Sequence, residues 1–216
     1  MKTVILFDLD GTLIDSTEAI LESFYHSLKT HALGLEVTES MITSQIGHPL
    51  EVMFAGVGVN ADRVDIHVST YKLYYKEIAR QKTFMLPNAV EAIQEASSFA
   101  RLGIVTTKTG RYSRELMEHF EIMHYFEVLI GFEDVEHRKP HPEPILKALT
   151  QMGHQDQEVW MIGDTRLDVE ASLRAGVECV AVTTGYDNEE QLRTLTDIIK
   201  PNALEAVQYI AKRGRK

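Results

Sequence analysis

The chain has 216 residues, 44% of them hydrophobic and 25% charged, an ordinary globular usage that excludes collagen-like, coiled-coil and disordered classes. Against 32 Asp and Glu stand 22 Lys and Arg, and the formal charge of −10 repels nucleic acid and anionic membrane, so neither is expected as a partner. Cys179 is the only cysteine, which excludes an intrachain disulfide and a Cys-based zinc centre; with no long apolar run or export leader, a cytoplasmic protein is the expectation.

In chain order, residues 3–7 form a short apolar, β-branched run ending at Asp8 and Asp10-Gly11, which reads as a buried strand meeting a turn. Only helical signals follow, from Asp15 to about Lys82. They comprise a candidate Asp15/Glu18 capping box, then Ile20, Leu21, Phe24 and Leu28, and later Val64, Val68, Tyr71, Tyr75 and Ile78. Residues 15–83 therefore read as a helical insertion folded over the sheet edge, leaving residues 1–14 and 84–216 as the core. Beyond the insertion, helical patterns at 89–99, 113–120, 142–151 and 167–175 alternate with apolar runs at 102–107, 128–131, 159–163 and 179–183. Runs bounded by Gly, Asp or Thr, with no polar alternation, are those of strands buried on both faces. Gly176 stands where a left-handed C-cap is wanted, and Asn202 with Glu205 opens a final helix carrying Leu204, Val207 and Ile210. The alternation predicts an α/β fold, a doubly wound, Rossmann-like parallel sheet.

Ligands of open parallel sheets bind beyond the carboxyl ends of the strands, near the switch in strand order. Polar residues directly after the apolar runs are thus the candidates. They are Asp8 and Asp10; Thr106, Thr107 and Lys108; Lys139; and Asp164 and Asp168. Two carboxylates about 4 Å apart repel by roughly 4 kcal/mol at an effective dielectric of 20. Lys139 alone leaves such a cluster negative. Proton uptake or a hard divalent cation can meet the remainder, and Mg²⁺ is the natural cation. Residues two apart on extended chain point the same way, so Asp8 and Asp10 can reach one bound group. A carboxylate that accepts a phosphoryl group splits one difficult displacement into two easier ones, and a second acid can protonate the leaving oxygen and activate water.

Asp8-Leu9-Asp10-Gly11-Thr12, Thr106 at a strand end, Lys139-Pro140, and Gly163-Asp164 with Asp168 resemble the four ordered motifs of the haloacid dehalogenase superfamily of phosphohydrolases. The resemblance spans nearly the whole chain and makes residues 15–83 similar to that superfamily's cap domain. It implies that Asp8 is the nucleophile that becomes phosphorylated and Asp10 the general acid and base. It further implies Mg²⁺ held by the Asp8 carboxylate, the Asp10 backbone carbonyl and Asp164, with Asp168 supporting through water or at longer range. Thr106 and the Thr107 amide would grip the phosphoryl oxygens, and Lys139 would neutralise charge shared with Asp8. Haloalkanoate dehalogenases of the superfamily lack the second acid, so Asp10 argues for phosphatase chemistry. The continuation from Thr12 to Ser16 is similar to the phosphoglycolate phosphatase and pyrophosphatase-like group, with β-phosphoglucomutase as a cousin. That group often has Asn where Thr107 stands. The expectation is Mg²⁺-dependent hydrolysis of a small phosphorylated metabolite, with phosphoglycolate leading. Inorganic pyrophosphate hydrolysis and mutase activity are the alternatives, and a phosphorylatable signalling module is the alternative from another class. No oligomeric state follows from the sequence.

Other conspicuous residues have simpler readings. Ile46-Gly47-His48-Pro49 breaks the helical pattern, either as a loop that dips toward substrate or as an interhelix turn. Lys108 and Arg111 either meet a substrate carboxylate or second phosphate, or are surface cations. His137 and His141 flank Lys139 at a metal-like separation, but Pro140 and Pro142 prevent a shared helical face, so they read as solvated loop histidines. Tyr71, Tyr74 and Tyr75 read as packing, Cys179 as a small core hydrophobe, and Lys212-Arg213-Gly214-Arg215-Lys216 as a solvated basic tail.

Overall fold

The computed structural model describes residues 3–31 and 34–213, so Gly214, Arg215 and Lys216 of the basic tail lie outside the described residues. The elements begin with strands β1 (Thr3–Phe7) and β2 (Ile14–Asp15), then helices α1 (Thr17–Thr30), α2 (Glu39–Thr43), α3 (Leu50–Gly56) and α4 (Val64–Ile78). There follow β3 (Phe84–Met85), α5 (Ala89–Ser97), β4 (Ala100–Val105), α6 (Gly110–His119), β5 (Phe126–Ile130) and α7 (Glu143–Gln151). Last come β6 (Val159–Gly163), α8 (Arg166–Ala175), β7 (Glu178–Val182), α9 (Glu189–Arg193), β8 (Ile199–Lys200) and α10 (Ala203–Arg213). By internal contacts the chain divides into two compact units, Met1–Asp15 with Met85–Lys216, and Ser16–Phe84.

The first unit is a six-stranded parallel sheet in the order β5-β4-β1-β6-β7-β8. Val4, Ile5, Leu6 and Phe7 of β1 are fully buried, as a strand covered by helices on both faces requires. On one face Val4 and Leu6 join Ile145, Ala148 and Leu149 of α7 and Val169 of α8 in one apolar cluster. On the other, α5 and α10 pack together, α5 against β4 and α10 against β7 and β8. Because β1 lies between β4 and β6, the crossovers leave it in opposite directions, and the strand order reverses at its carboxyl end. The left-handed Gly176 (φ 71°) ends α8 as anticipated, and Asn202 Oδ1 accepts from the Glu205 amide at 3.0 Å at the start of α10.

Several boundaries differ from the sequence reading. β4 starts two residues before the apolar run suggested and ends at Val105, which leaves Thr106 and Thr107 in the turn. β8, two half-buried residues, and α9, capped by Asn188 and Gln191, carry too little apolar signal to be anticipated.

In the second unit α1 and α4 pack along each other and α3 against α4. Phe24 stacks on Phe54 with centroids 4.1 Å apart, and the buried Tyr71 meets both rings edge-on. Tyr71 and Tyr75 are packing residues. Tyr74 points elsewhere, stacks on His26 and donates to Glu22 Oε1 at 2.7 Å. The anticipated Asp15/Glu18 capping box does not form. Asp15 is still extended in β2, Ser16 occupies the N-cap position without capping through its side chain, and Glu18 pairs with Lys82 at 2.8 Å.

His67 is a fully buried imidazole in this unit. Its Nδ1 lies 3.0 Å from Ser27 Oγ, and Ser27 Oγ donates to the His67 carbonyl, while Nε2 is buried with no hydrogen-bond partner among the described residues. Burial, and then the nearby His31 and Arg63, lower the imidazole pKa. The folded unit therefore holds His67 neutral, whereas the unfolded chain takes up a proton near the ordinary value of about 6.5. Stability is lost as pH falls through that value. Urea midpoints of wild type should fall relative to those of His67→Leu between pH 7.5 and 5.5; a difference between the two proteins that does not change with pH would assign the effect elsewhere.

Candidate active site

Parallel register places the strand ends side by side. Phe7 is level with Ile104 of β4 and Ile162 of β6, and the Asp8 amide donates to the Ile162 carbonyl at 2.9 Å. Asp8, directly after β1, and Asp164, directly after β6, therefore enter one space, where Asp168 joins them from the first turn of α8. One carboxylate oxygen of each can be chosen so that all three lie within 4.8 Å of one another, and all three residues are buried.

Lys139 reaches this cluster from the loop after β5, with its side chain only 2% exposed. Its Nζ is 2.9 Å from Asp8 Oδ1 and 2.5 Å from Asp168 Oδ1, and it donates to the Val105 carbonyl at 3.0 Å. Burial would lower the ammonium pKa, but Asp168 and Asp8 outweigh it and push it up, so Lys139 is charged. Asp168 Oδ2 accepts from the Thr165 amide at 3.1 Å and the Thr165 hydroxyl at 2.7 Å. Asp168 thus clamps Lys139 with one oxygen and closes the start of α8 with the other.

Asp164 is held from two sides. Thr12 Oγ1 donates to its Oδ1 at 2.9 Å, and the Tyr186 amide donates to its Oδ2 at 3.0 Å. Only glycine fits beside it. A Cβ at Gly11, where φ is +84°, would lie 2.3 Å from Asp164 Oδ2, and one at Gly185 would lie 1.9 Å away. Thr184 Oγ1 donates to the Gly11 carbonyl at 2.7 Å, and Asp187 takes the Arg166 amide at 2.7 Å and Arg166 Nε at 3.0 Å. The segment after β7 is thereby tied to the loops after β1 and β6.

Electrostatically the cluster is under-compensated. Three carboxylates against one ammonium leave two formal negative charges. Burial raises the Asp8 pKa to about 7 in spite of Lys139, and the charges of Asp168 and Asp10 add to the rise. Asp164 is raised well above the ordinary carboxylate range, first by burial and then by Asp8 and Asp168, against the Tyr186 amide and Thr12 hydroxyl. A buried, all-oxygen set with two uncompensated charges suits a hard divalent cation such as Mg²⁺.

Asp10 turns to a different partner. Its two oxygens are 3.1 and 3.2 Å from Lys108 Nζ, with both side chains nearly buried. Thr106 is buried, its amide donates to the Ile130 carbonyl, and its Oγ1 accepts from the Lys108 amide at 3.2 Å; Thr107 is half-buried in the same turn. Arg111 sits exposed on α6 and pairs with Glu115 at 3.2 Å. His48 belongs to the second unit, half-buried in the turn before α3, where its amide donates to the Gln45 carbonyl.

The first unit therefore gathers Asp8, Asp164, Asp168 and Lys139 in one cluster, and joins Asp10 to Lys108. Sequence reasoning gave no role to Thr12, Thr184, Gly185 or Tyr186. For Thr184, Gly185 and Tyr186 the signal was present, because the segment directly after the fifth apolar run is one more strand end of the kind that supplied the other candidates; Thr12 lies in the turn after the first run, beside Asp8 and Asp10. Cys179 is buried in β7, where desolvation pushes its thiol up to about 12, in keeping with an inert core residue.

A family model described as haloacid dehalogenase-like hydrolase matches residues 5–182. The pyrophosphatase PpaX of Anoxybacillus flavithermus is 34% identical over 88% of this chain and 87% of its own length. A phosphoglycolate phosphatase of Salmonella choleraesuis is 30% identical over 87% of this chain and 84% of its own. Among solved structures, a haloacid dehalogenase-like family hydrolase from Streptococcus pneumoniae superposes with a TM-score of 0.87 at 29% identity, covering 97% of this chain and 98% of that one. No helix among the described residues is long and apolar enough to cross a membrane.

Proposed function

This chain belongs to the haloacid dehalogenase-like hydrolases, and on that premise we propose that it hydrolyses a small phosphorylated metabolite through a phosphorylated Asp8. The observation that carries this reading is the convergence of Asp8, Lys139 and Asp164 at the strand-order switch.

Asp8 Oδ attacks phosphorus and becomes an acyl phosphate as the bond to the leaving oxygen breaks. Asp10, two residues on, gives that oxygen its proton and then takes one from the water that attacks the acyl phosphate, releasing inorganic phosphate and restoring Asp8. Lys139 offsets negative charge shared between Asp8 and the phosphoryl oxygens, and Thr106 with the turn at Thr107 receives those oxygens. Lys108 pairs with the Asp10 carboxylate at 3.1 Å and restrains it. Such assistance consists of positioning and charge, which is what phosphoryl transfer chiefly needs. Mg²⁺ held by Asp8, the Asp10 carbonyl and Asp164 would supply further positive charge for the phosphoryl oxygens. Asp168 contributes at one remove, by holding Lys139. We assign the helical unit Ser16–Phe84 as the cap that governs substrate choice, with His48 in one of its turns.

Phosphoglycolate is the leading substrate. Inorganic pyrophosphate is the second reading, favoured by the 34% identity to a pyrophosphatase. Both carry a second anionic group close to the scissile bond. Phosphate release from phosphoglycolate, pyrophosphate and sugar phosphates, assayed in parallel, should show repeated turnover with one of the first two preferred by at least about tenfold in kcat/KM, about 1.4 kcal/mol of transition-state discrimination. A single turnover that leaves a long-lived phosphoprotein would mark a signalling module instead.

Metal dependence has a readout independent of turnover. Mg²⁺ at a hundred times its dissociation constant should stabilise the fold by about 2.7 kcal/mol, and Asp164→Asn should remove most of that gain. A melting temperature indifferent to Mg²⁺ and to chelator would count against the acidic cluster as the metal site.

A further inference from the structure

The loop that carries Lys139 presents a second constellation on its outer side. His137 Nδ1 is 3.0 Å from Glu143 Oε2, and His141 Nδ1 is 4.0 Å from the same oxygen. One ligand atom of each residue lies within 4.8 Å of the other two, and the two imidazole rings are 4.6 Å apart, tilted by 33°. The prolines at 140 and 142 do prevent a shared helical face, but the turn they make folds the two histidines onto each other.

We propose that His137, His141 and Glu143 form a binding site for Zn²⁺, separate from the acidic cluster. Four features carry the assignment. Two imidazoles and one carboxylate select a borderline ion over Mg²⁺, which prefers oxygen alone. A tetrahedral zinc ion with bonds of 2.0–2.2 Å wants donor atoms about 3.3 Å apart, a spacing bracketed by the 3.0 and 4.0 Å separations. The carboxylate is already fixed, since Oε1 accepts from the Glu136 amide and Oε2 from the His137 amide, each at 2.9 Å. Finally, His141 Nδ1, 4.0 Å from Glu143 Oε2, accepts from the Glu143 amide at 3.2 Å, so this nitrogen presents a lone pair and not a proton. Zinc would replace that hydrogen bond and displace the proton between His137 and Glu143. With the histidine side chains 57% and 49% exposed, water completes the fourth position. The bound ion staples the two ends of the segment that carries Lys139.

Titration calorimetry of the full chain with Zn²⁺, at saturating Mg²⁺, tests this. Wild type and Asp164→Asn should each take up one zinc ion at this site, and His137→Ala or His141→Ala should each weaken uptake by at least about tenfold. Cu²⁺ added to wild type in place of zinc should show splitting from two imidazole nitrogens in its paramagnetic resonance spectrum, a readout that needs no variant. Zinc uptake unchanged in the His137→Ala/His141→Ala double variant, uptake lost in Asp164→Asn, or no uptake by wild type would overturn the assignment. All of these readings stand whether or not the proposed phosphatase activity is found.

Discussion

Asp8→Asn is expected to reduce phosphate release to background, a loss of at least about a thousandfold, or ~4 kcal/mol of barrier, with the fold intact. Asn has the size of Asp but a neutral amide, which cannot act as the nucleophile that forms an acyl phosphate. Stability should hold or rise. Burial pushes the Asp8 carboxyl up to about 7, so near neutral pH its ionised form is held at a cost, and a neutral isostere relieves the repulsion from Asp168 and Asp10. Lys139 keeps Asp168 and the Val105 carbonyl as partners in the variant. The two effects are thus separable, one read by phosphate release and the other by melting temperature. A variant that retains more than about a tenth of wild-type turnover would refute Asp8 as the nucleophile.

The largest stability effect is expected at Lys139. Lys139→Met keeps the length and apolar stem of the side chain but removes the one ammonium among three buried carboxylates. Leaving buried charge uncompensated costs about 3–5 kcal/mol, a large share of the 5–15 kcal/mol that holds an ordinary domain together. The sign with pH follows from the raised carboxyls. Asp8 and Asp164 bind protons more readily folded than unfolded, so the stability they contribute is present below the unfolded carboxylate value of about 4 and is lost as pH rises through their folded values. The deficit of Lys139→Met against wild type should therefore be greatest near neutral pH and shrink as the solution is acidified. Urea denaturation at several pH values measures both terms. A deficit below about 1 kcal/mol at pH 7 would mean that the carboxylates are compensated by something other than Lys139.

The strands were legible because helices cover both faces of the sheet. Residues 159–163 are all buried, as their unbroken apolar run requires, and β1 is buried from Val4 to Phe7. Where burial is partial, the signal fades. β8 has two half-buried residues, and α1 begins two residues past the Asp15 that a capping pattern pointed to. Short polar elements owe their place to what they pack against, which a local pattern does not record.

The same division runs through the candidate site. Asp8, Thr106, Lys139 and Asp164 could be nominated from sequence alone, since a polar residue at the end of a buried parallel strand emerges on the side where the other strands also end. Which of them touch could not. Lys108 meets Asp10 across 98 positions, Thr12 meets Asp164 across 152, and Lys139 meets Asp168 across 29. His137 and His141, four positions apart, face each other only because the turn between them folds back. By itself, then, the sequence determined the layered sheet, its two-sided burial and the inventory of polar groups at its mouth, because hydrophobic periodicity and turn chemistry act over a few residues. Only the tertiary structure decided which carboxylate shares an ammonium, which is clasped by a hydroxyl and an amide, and how much charge is left over. Those outcomes depend on strand register and on the loss of solvent around groups far apart along the chain.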